Sequence, residues 1–120
     1  MKRIALIAAA VVLFVSNTAY SQKLKVTLDA GHGGQDYGAV NNGHIEKNIA
    51  LSVVLKVGRI LERSSGIEVV YTRKSDVMVD LVERANIANR ADAGIFVSVH
   101  CNSNKNTAAD GSENVCIRDV

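Results

Sequence analysis

The 120-residue chain contains no proline and no tryptophan, and only 4% of it is aromatic. Three tyrosines and two phenylalanines are too few for an aromatic platform on which sugars or bases stack. Lysine and arginine are scattered rather than clustered, so the electrostatic footprint of a nucleic-acid binder is missing and no nucleic-acid partner is expected. Two cysteines, Cys101 and Cys116, cannot make a disulfide framework. No repeat or low-complexity linker divides the chain, and its length allows one domain at most.

Long apolar runs are absent too, with one exception at the start. Lys2 and Arg3 precede an unbroken apolar stretch from Ile4 to Val15, followed by the small and polar "SNTAYSQ". This is the order of a signal peptide. The run is short for a bilayer span, and Ala19 and Ser21 are spaced for cleavage before Gln22. Residues 1–21 are therefore expected to be removed on export, leaving no stable membrane anchor and a periplasmic or secreted chain, residues 22–120. Its 12 basic and 12 acidic residues balance. Export permits a Cys101–Cys116 bridge, but Cys101 adjoins His100 in what reads as a site, and the two are read as unpaired.

Beyond the signal, "KLKVTL" alternates, with Leu24, Val26 and Leu28 on one side, and predicts a strand. From Ile45 to Arg63 apolar residues recur at Ile49, Val53, Val57 and Ile60–Leu61, which is helical spacing. "IEVVYT" predicts a second strand. Asp80 and Glu83 resemble a capping box opening a second helix that buries Leu81, Ala85 and Ala88. "GIFVSV" is nearly all apolar, as in a strand covered on both faces. Strand, helix, strand, helix, strand implies an α/β fold whose mainly parallel or mixed central sheet is flanked by helices.

In such sheets ligands bind at the carboxyl ends of the strands. The first strand runs into "LDAGHGGQDYGA" and His32; the third runs into His100. Two imidazoles at neighbouring strand ends can share a metal, and zinc accepts two histidines and a carboxylate with one position left open. Glu46, at the mouth of the first helix, is the natural third ligand. Gly31, Gly33 and Gly34 would let the backbone turn sharply beside the ion. His44 competes with Glu46 but reads as a loop residue. Asp29 is either a turn former or the group that orients His32; Asp36 reads as a turn former. The glycine loop lacks the Lys-Ser/Thr ending of a phosphate-binding P-loop and the spacing of a dinucleotide fingerprint.

Taken in order, "LDAGHGGQDYGA", "EKN" at Glu46, Thr72–Arg73 with Asp76 just beyond, "ERANIAN", "FVSVHCNS" and "GSE" resemble the zinc-dependent N-acetylmuramoyl-L-alanine amidases of bacterial cell walls. The resemblance covers most of residues 24–113. It implies a Zn2+ cofactor held by His32, Glu46 and His100, and peptidoglycan as substrate, cleaved between the lactyl group of muramic acid and L-alanine. No motif identifies an activator protein. Arg73, Asp76 and Arg84 are expected to tie the exit of the second strand to the second helix by ion pairs. Asn102 and Ser103 are candidates to line the cleft. Cys101 is expected to be a buried thiol, since adjacent strand residues point to opposite faces.

The resemblance fades after Glu113. The family's general base is a glutamate on a late strand, and the sequence reaches Val120 without one. Glu113 is the only late carboxylate inside a matching motif and so the only candidate catalytic residue of that kind. The chain thus reads as the N-terminal portion of an amidase domain, expected to bind zinc and to turn over slowly alone. A zinc exopeptidase of similar fold, or an inactive remnant that binds zinc and cell wall, are the alternatives.

Overall fold

A computed structural model describes residues 22–102 and residue 111. Residues 1–21, Ser103, Glu113 and Cys116 lie outside the described residues. Five strands and two helices follow in the order β1 (Leu24–Ala30), β2 (Val40–Asn41), β3 (His44–Ile45), α1 (Glu46–Leu61), β4 (Ile67–Tyr71), α2 (Leu81–Arg90) and β5 (Ile95–Val99). β4, β1 and β5 form a sheet in that order, and β1 runs parallel to both neighbours. Parallel neighbours need crossover connections, which α1 and α2 supply. No helix among the described residues is long and apolar enough to cross a membrane.

The pleat of β1 sorts its side chains. Val26, Leu28 and Ala30 meet Ala50 and Val54 of α1 in the hydrophobic core. Thr27 and Asp29 are buried on the opposite face, where Asp29 meets Arg84 of α2 at 2.7 Å. The helices therefore flank the sheet on its two sides, the α/β arrangement that the alternation of elements implies. Burying Val54 completely contributes roughly 1.5–3 kcal/mol.

Three packing expectations are corrected. The stripe of α1 that faces the sheet is Lys47, Ala50, Val54 and Gly58, one residue round from the expected one; Ile49, Val53, Val57 and Ile60 are exposed. The smaller residues win because they let the helix approach closely. A Cβ on Gly58 would collide with the Tyr71 ring. In α2, Ala88 is buried as expected, but Leu81 and Ala85 are exposed and Arg84 takes the inner position. Asp80 is the N-cap residue of α2 without a side-chain capping bond, and Glu83 instead pairs with Arg90 at 2.6 Å. Finally, Ile95, Phe96 and Val97 of β5 are exposed among the described residues, so the strand is not covered on both faces there.

The sequence also contains a hairpin that its apolar periodicity does not reveal. Asn42 and Gly43 both take positive φ, 48° and 79°, between the antiparallel β2 and β3. Asn-Gly is the preferred pair for such a two-residue turn. The hairpin leads directly into α1, whose first amides are satisfied by loop carbonyls: Glu46 N–H donates to Ala39 and Lys47 N–H to Tyr37.

Behind the sheet lies a buried polar layer. The Asp29 carboxylate accepts from the Thr72 hydroxyl at 2.6 Å, the Ser98 hydroxyl at 2.5 Å and Arg84 at 2.7 Å. Burial pushes this carboxyl up, but the three hydrogen bonds and the Arg84 charge outweigh it and hold it below the usual range. An aspartate depressed in the folded state contributes stability above its unfolded pKa and loses it as pH falls through the folded value. Asp29→Asn should therefore cost about 3–5 kcal/mol at pH 7, because it leaves a buried guanidinium without its counter-charge. The gap to the unmodified protein should begin to close below about pH 4. Urea unfolding at pH 7 and at pH 3 checks this; an equal gap at both would contradict it.

Candidate metal centre

The site is built by the register of β1 and β5. Ala30 pairs with Val99, and Gly31 N–H continues the pairing to the Val99 carbonyl at 3.0 Å. Both strands then leave the sheet, so His32 and His100 stand at the same edge. β4 lies on the other side of β1, which makes this edge a point where the strand order reverses, the usual binding position in open α/β sheets.

The three candidate residues come together. His32 Nε2 lies 3.1 Å from Glu46 Oε1, His100 Nδ1 lies 3.1 Å from the same oxygen, and the two ring nitrogens are 3.2 Å apart. Three donors thus form a nearly equilateral triangle. Zinc bonds of about 2.0–2.1 Å to nitrogen and oxygen set the corners of a tetrahedron about 3.3 Å apart, so the donor set and its spacing fit such an ion. The two rings pack edge to face, with centroids 4.8 Å apart.

Glu46 is held by both of its oxygens. Ala39 N–H donates to Oε2 and Cys101 N–H to Oε1, each at 2.8 Å. Burial pushes this carboxyl up; the two amides and the imidazoles outweigh it, and it stays below its ordinary value. The carboxylate therefore joins the loop after β1 to the end of β5 in its ionised form.

His32 has a left-handed backbone, φ 61°, uncommon for a residue with a side chain. Its Nδ1 lies 2.8 Å from Asp36 Oδ2. That hydrogen bond, with the Gly38 amide, keeps the Asp36 carboxyl below its usual range. An ionised carboxylate only accepts, so the hydrogen of this bond belongs to His32 Nδ1. Asp36 forms the expected turn through Gly38 N–H and touches His32 as well, whereas Asp29 takes neither of its two expected roles and belongs to the buried layer behind the sheet.

The glycines answer to space as much as to turning. Gly31 is not left-handed; a Cβ there would run into the His100 ring. At Gly38, φ 65°, a Cβ would lie 2.6 Å from both Glu46 Oε2 and His32 Cδ2. The backbone lies against the donor side chains where only glycine fits.

Two arginines and a lysine hold this loop from outside. Arg73 donates to the carbonyls of Ala30, Ser75, Gly31 and Lys47. Arg84 donates to those of Val79, Ala30 and His32 as well as to Asp29. Lys47 Nζ reaches Gly34 O and Asp76 Oδ2, both at 2.7 Å, while Gly34 N–H donates to Asp76 Oδ1 at 2.8 Å. The expected ion pairs between the β4 exit and α2 are corrected accordingly. Arg84 pairs with Asp29 and Asp76 with Lys47, so these charges fasten the β1 exit and the glycine loop. Lys47 escapes a sequence reading because lysine at a helix start is ordinarily a solvated residue; only its burial shows its task.

His44 sits on the hairpin strand β3, exposed, and is not among the clustered donors. Cys101 is a free, half-buried thiol; burial and the neighbouring Glu46 charge push its pKa up, which disfavours a nucleophilic thiolate. Beside the histidines opens a cleft of about 520 Å³, walled by Met78, Val79, Leu81, Val82 and Arg84.

A parallel α/β sheet with a His–Glu–His donor cluster at its carboxyl edge defines an α/β protein with a candidate metal centre of the hydrolase type. Comparison with known proteins narrows the class. The sequence model of the N-acetylmuramoyl-L-alanine amidase family matches residues 26–118, and the chain belongs to that family. It is 53% identical over 78 residues to the endolysin of Bacillus phage SPP1, covering 65% of this chain and 29% of that protein. It is 40% identical over 91 residues to the N-acetylmuramoyl-L-alanine amidase AmiA of Escherichia coli, covering 75% and 31%. The catalytic domain of CwlV, an N-acetylmuramoyl-L-alanine amidase from Bacillus (Paenibacillus) polymyxa, superposes with a TM-score of 0.70 at 40% identity, covering 72% of this chain and 49% of that one. The chain thus spans under a third of these curated relatives and about half of the solved domain.

His32→Ala, Glu46→Ala and His100→Ala should each lower the zinc content of the purified protein, and His44→Ala should not. Gly31→Ala, which removes no donor, should lower it as well by displacing His100. Metal analysis checks the series; full zinc retention by the Gly31 variant would contradict the close approach described here.

Proposed function

We propose that the chain carries the metal site of a zinc-dependent N-acetylmuramoyl-L-alanine amidase that hydrolyses the amide between muramic acid and L-alanine in peptidoglycan. His32 Nε2, Glu46 Oε1 and His100 Nδ1 would hold the ion. The observation that carries this reading is the triangle of donors with edges of 3.1–3.2 Å in a chain of the amidase family. Zinc in such a site polarises an amide carbonyl and lowers the pKa of a bound water.

The chain's own residues supply position and enclosure. Glu46 is fixed by two amides and His32 by Asp36, so two of the three donors are set before anything binds. Met78, Val79, Leu81 and Val82 line one side of the cleft beside the histidines. Hydrolysis also requires a group that takes a proton from the attacking water and returns it to the departing amine of L-alanine. Glu113, in the "GSE" motif, is the carboxylate of this chain assigned to be tested for that role. The signal-like start directs the reaction to the cell wall, in the periplasm or outside the cell, and the exported chain should begin near Gln22.

Incubation with purified peptidoglycan should release stem peptides with a free L-alanine amino terminus, and zinc chelation or His32→Ala should abolish release. Proton carriers are typically worth about 10²–10⁴ in rate, so Glu113→Gln should slow release by at least about 10² if Glu113 is the carrier, with zinc content unchanged. Cleavage of simple peptides without release from peptidoglycan would overturn the amidase reading in favour of an exopeptidase. Zinc binding and wall adhesion without any product would favour a binding role. Mass spectrometry of the exported chain checks the amino terminus; an intact Met1 would contradict cleavage.

A further inference from the structure

The two histidines of the cluster present different nitrogens. His32 faces the centre with Nε2, His100 with Nδ1. For His32, Nε2 faces Glu46 and His100, and on the opposite side of the ring Nδ1 meets Asp36. The two oxygens of Asp36 divide their work. Oδ1 accepts from Gly38 N–H at 3.2 Å, a local turn bond, and Oδ2 accepts from His32 Nδ1 at 2.8 Å. The Asp36 backbone is itself pinned: Gly33 N–H donates to its carbonyl at 2.9 Å, and its N–H donates to the Gly33 carbonyl at 3.1 Å.

We propose that Asp36 is a positioning residue for the metal: its Oδ2 keeps the proton of His32 on Nδ1, so that Nε2 meets the ion with a free lone pair. The role rests on the metal-centre reading above. A carboxylate behind a ligating imidazole fixes the tautomer and ring orientation and raises the basicity of the ligand, and losing such a partner typically costs about 10–100-fold in metal affinity.

The division of labour between the oxygens gives a discriminating variant. In Asp36→Asn the remaining oxygen can still accept from Gly38, since asparagine forms the same local turn. The amide NH2 then faces His32 Nδ1, a donor where an acceptor is needed. The ring would be driven to the other tautomer, with its proton on the nitrogen that must bind the ion. A residue that only formed the turn would tolerate this change.

The test is competition for zinc between the full chain and a chromophoric chelator, with circular dichroism as the check on folding. Asp36→Asn should keep the native spectrum and bind zinc about 10–100-fold more weakly; unchanged affinity would overturn the role. A wild-type chain that takes up no zinc removes the metal centre and the role with it, whereas normal wild-type uptake with an unaltered Asn variant removes the role alone. Long-range 1H–15N correlation of the imidazoles in the metal-free wild-type chain gives a readout independent of the variant's folding. His32 should carry a proton at Nδ1, and a ring protonated at Nε2 with Nδ1 bare would overturn the proposal.

Discussion

Ala30 of β1 pairs with Val99 of β5 in parallel, and the two strands leave the sheet at the same level. From that one register the geometry of the site follows. Gly31 comes to lie against the His100 ring, His32 stands one residue further out, and Cys101 N–H falls within reach of Glu46 Oε1. A shift of one residue would turn every side chain of a strand to the other face of the sheet. It would carry Val26 and Leu28 out of the core and Asp29 into it. The hydrophobic core and the donor cluster are therefore fixed by the same pairing.

Burying charge beside this pairing is costly, and replacing a buried ion pair with apolar residues of similar size is often neutral or stabilising. The Asp29–Arg84 pair is better understood by what else Arg84 touches. Its guanidinium also donates to the carbonyls of Ala30 and His32 at the end of β1 and of Val79 just before α2. Arg73 does the same for Ala30, Gly31 and Lys47. The two arginines thus tie the end of β1 and the glycine loop to the start of α1 and to the segment before α2. Lys47 and Asp76 close the remaining side around Gly34. A loop rich in glycine is thereby given the rigidity that a set of ligating side chains requires.

Much of this was legible in the sequence. Alternation in "KLKVTL" and the order of strands and helices implied a parallel sheet, and a parallel sheet brings His32 and His100 to one edge whatever the details of packing. The inner face of α1 was not legible, because Ile49, Val53 and Val57 sit directly beside Ala50, Val54 and Gly58. Apolar periodicity favours the bulkier row, whereas close approach to Tyr71 demands the smaller one. Nor was the Asp36–His32 bond. It depends on a left-handed histidine and on the Gly33–Asp36 turn, and asparagine-like turn chemistry is the ordinary meaning of an aspartate among glycines. The hairpin before α1 was legible in principle from Asn42–Gly43. Which charges pair behind the loop was beyond reach, since Lys47, Arg84 and the Arg73–Asp76 loop come from three separate segments.

The central claim is a metal centre made of two imidazoles and one carboxylate, arranged before the ion arrives. X-ray absorption at the zinc edge of the loaded protein tests it most directly. The account predicts a first shell of nitrogen and oxygen alone at about 2.0–2.1 Å, with the outer-shell scattering of two imidazole rings. A sulfur at about 2.3 Å, which would bring the thiol of Cys101 into the shell, or the signature of fewer than two imidazoles, would contradict it.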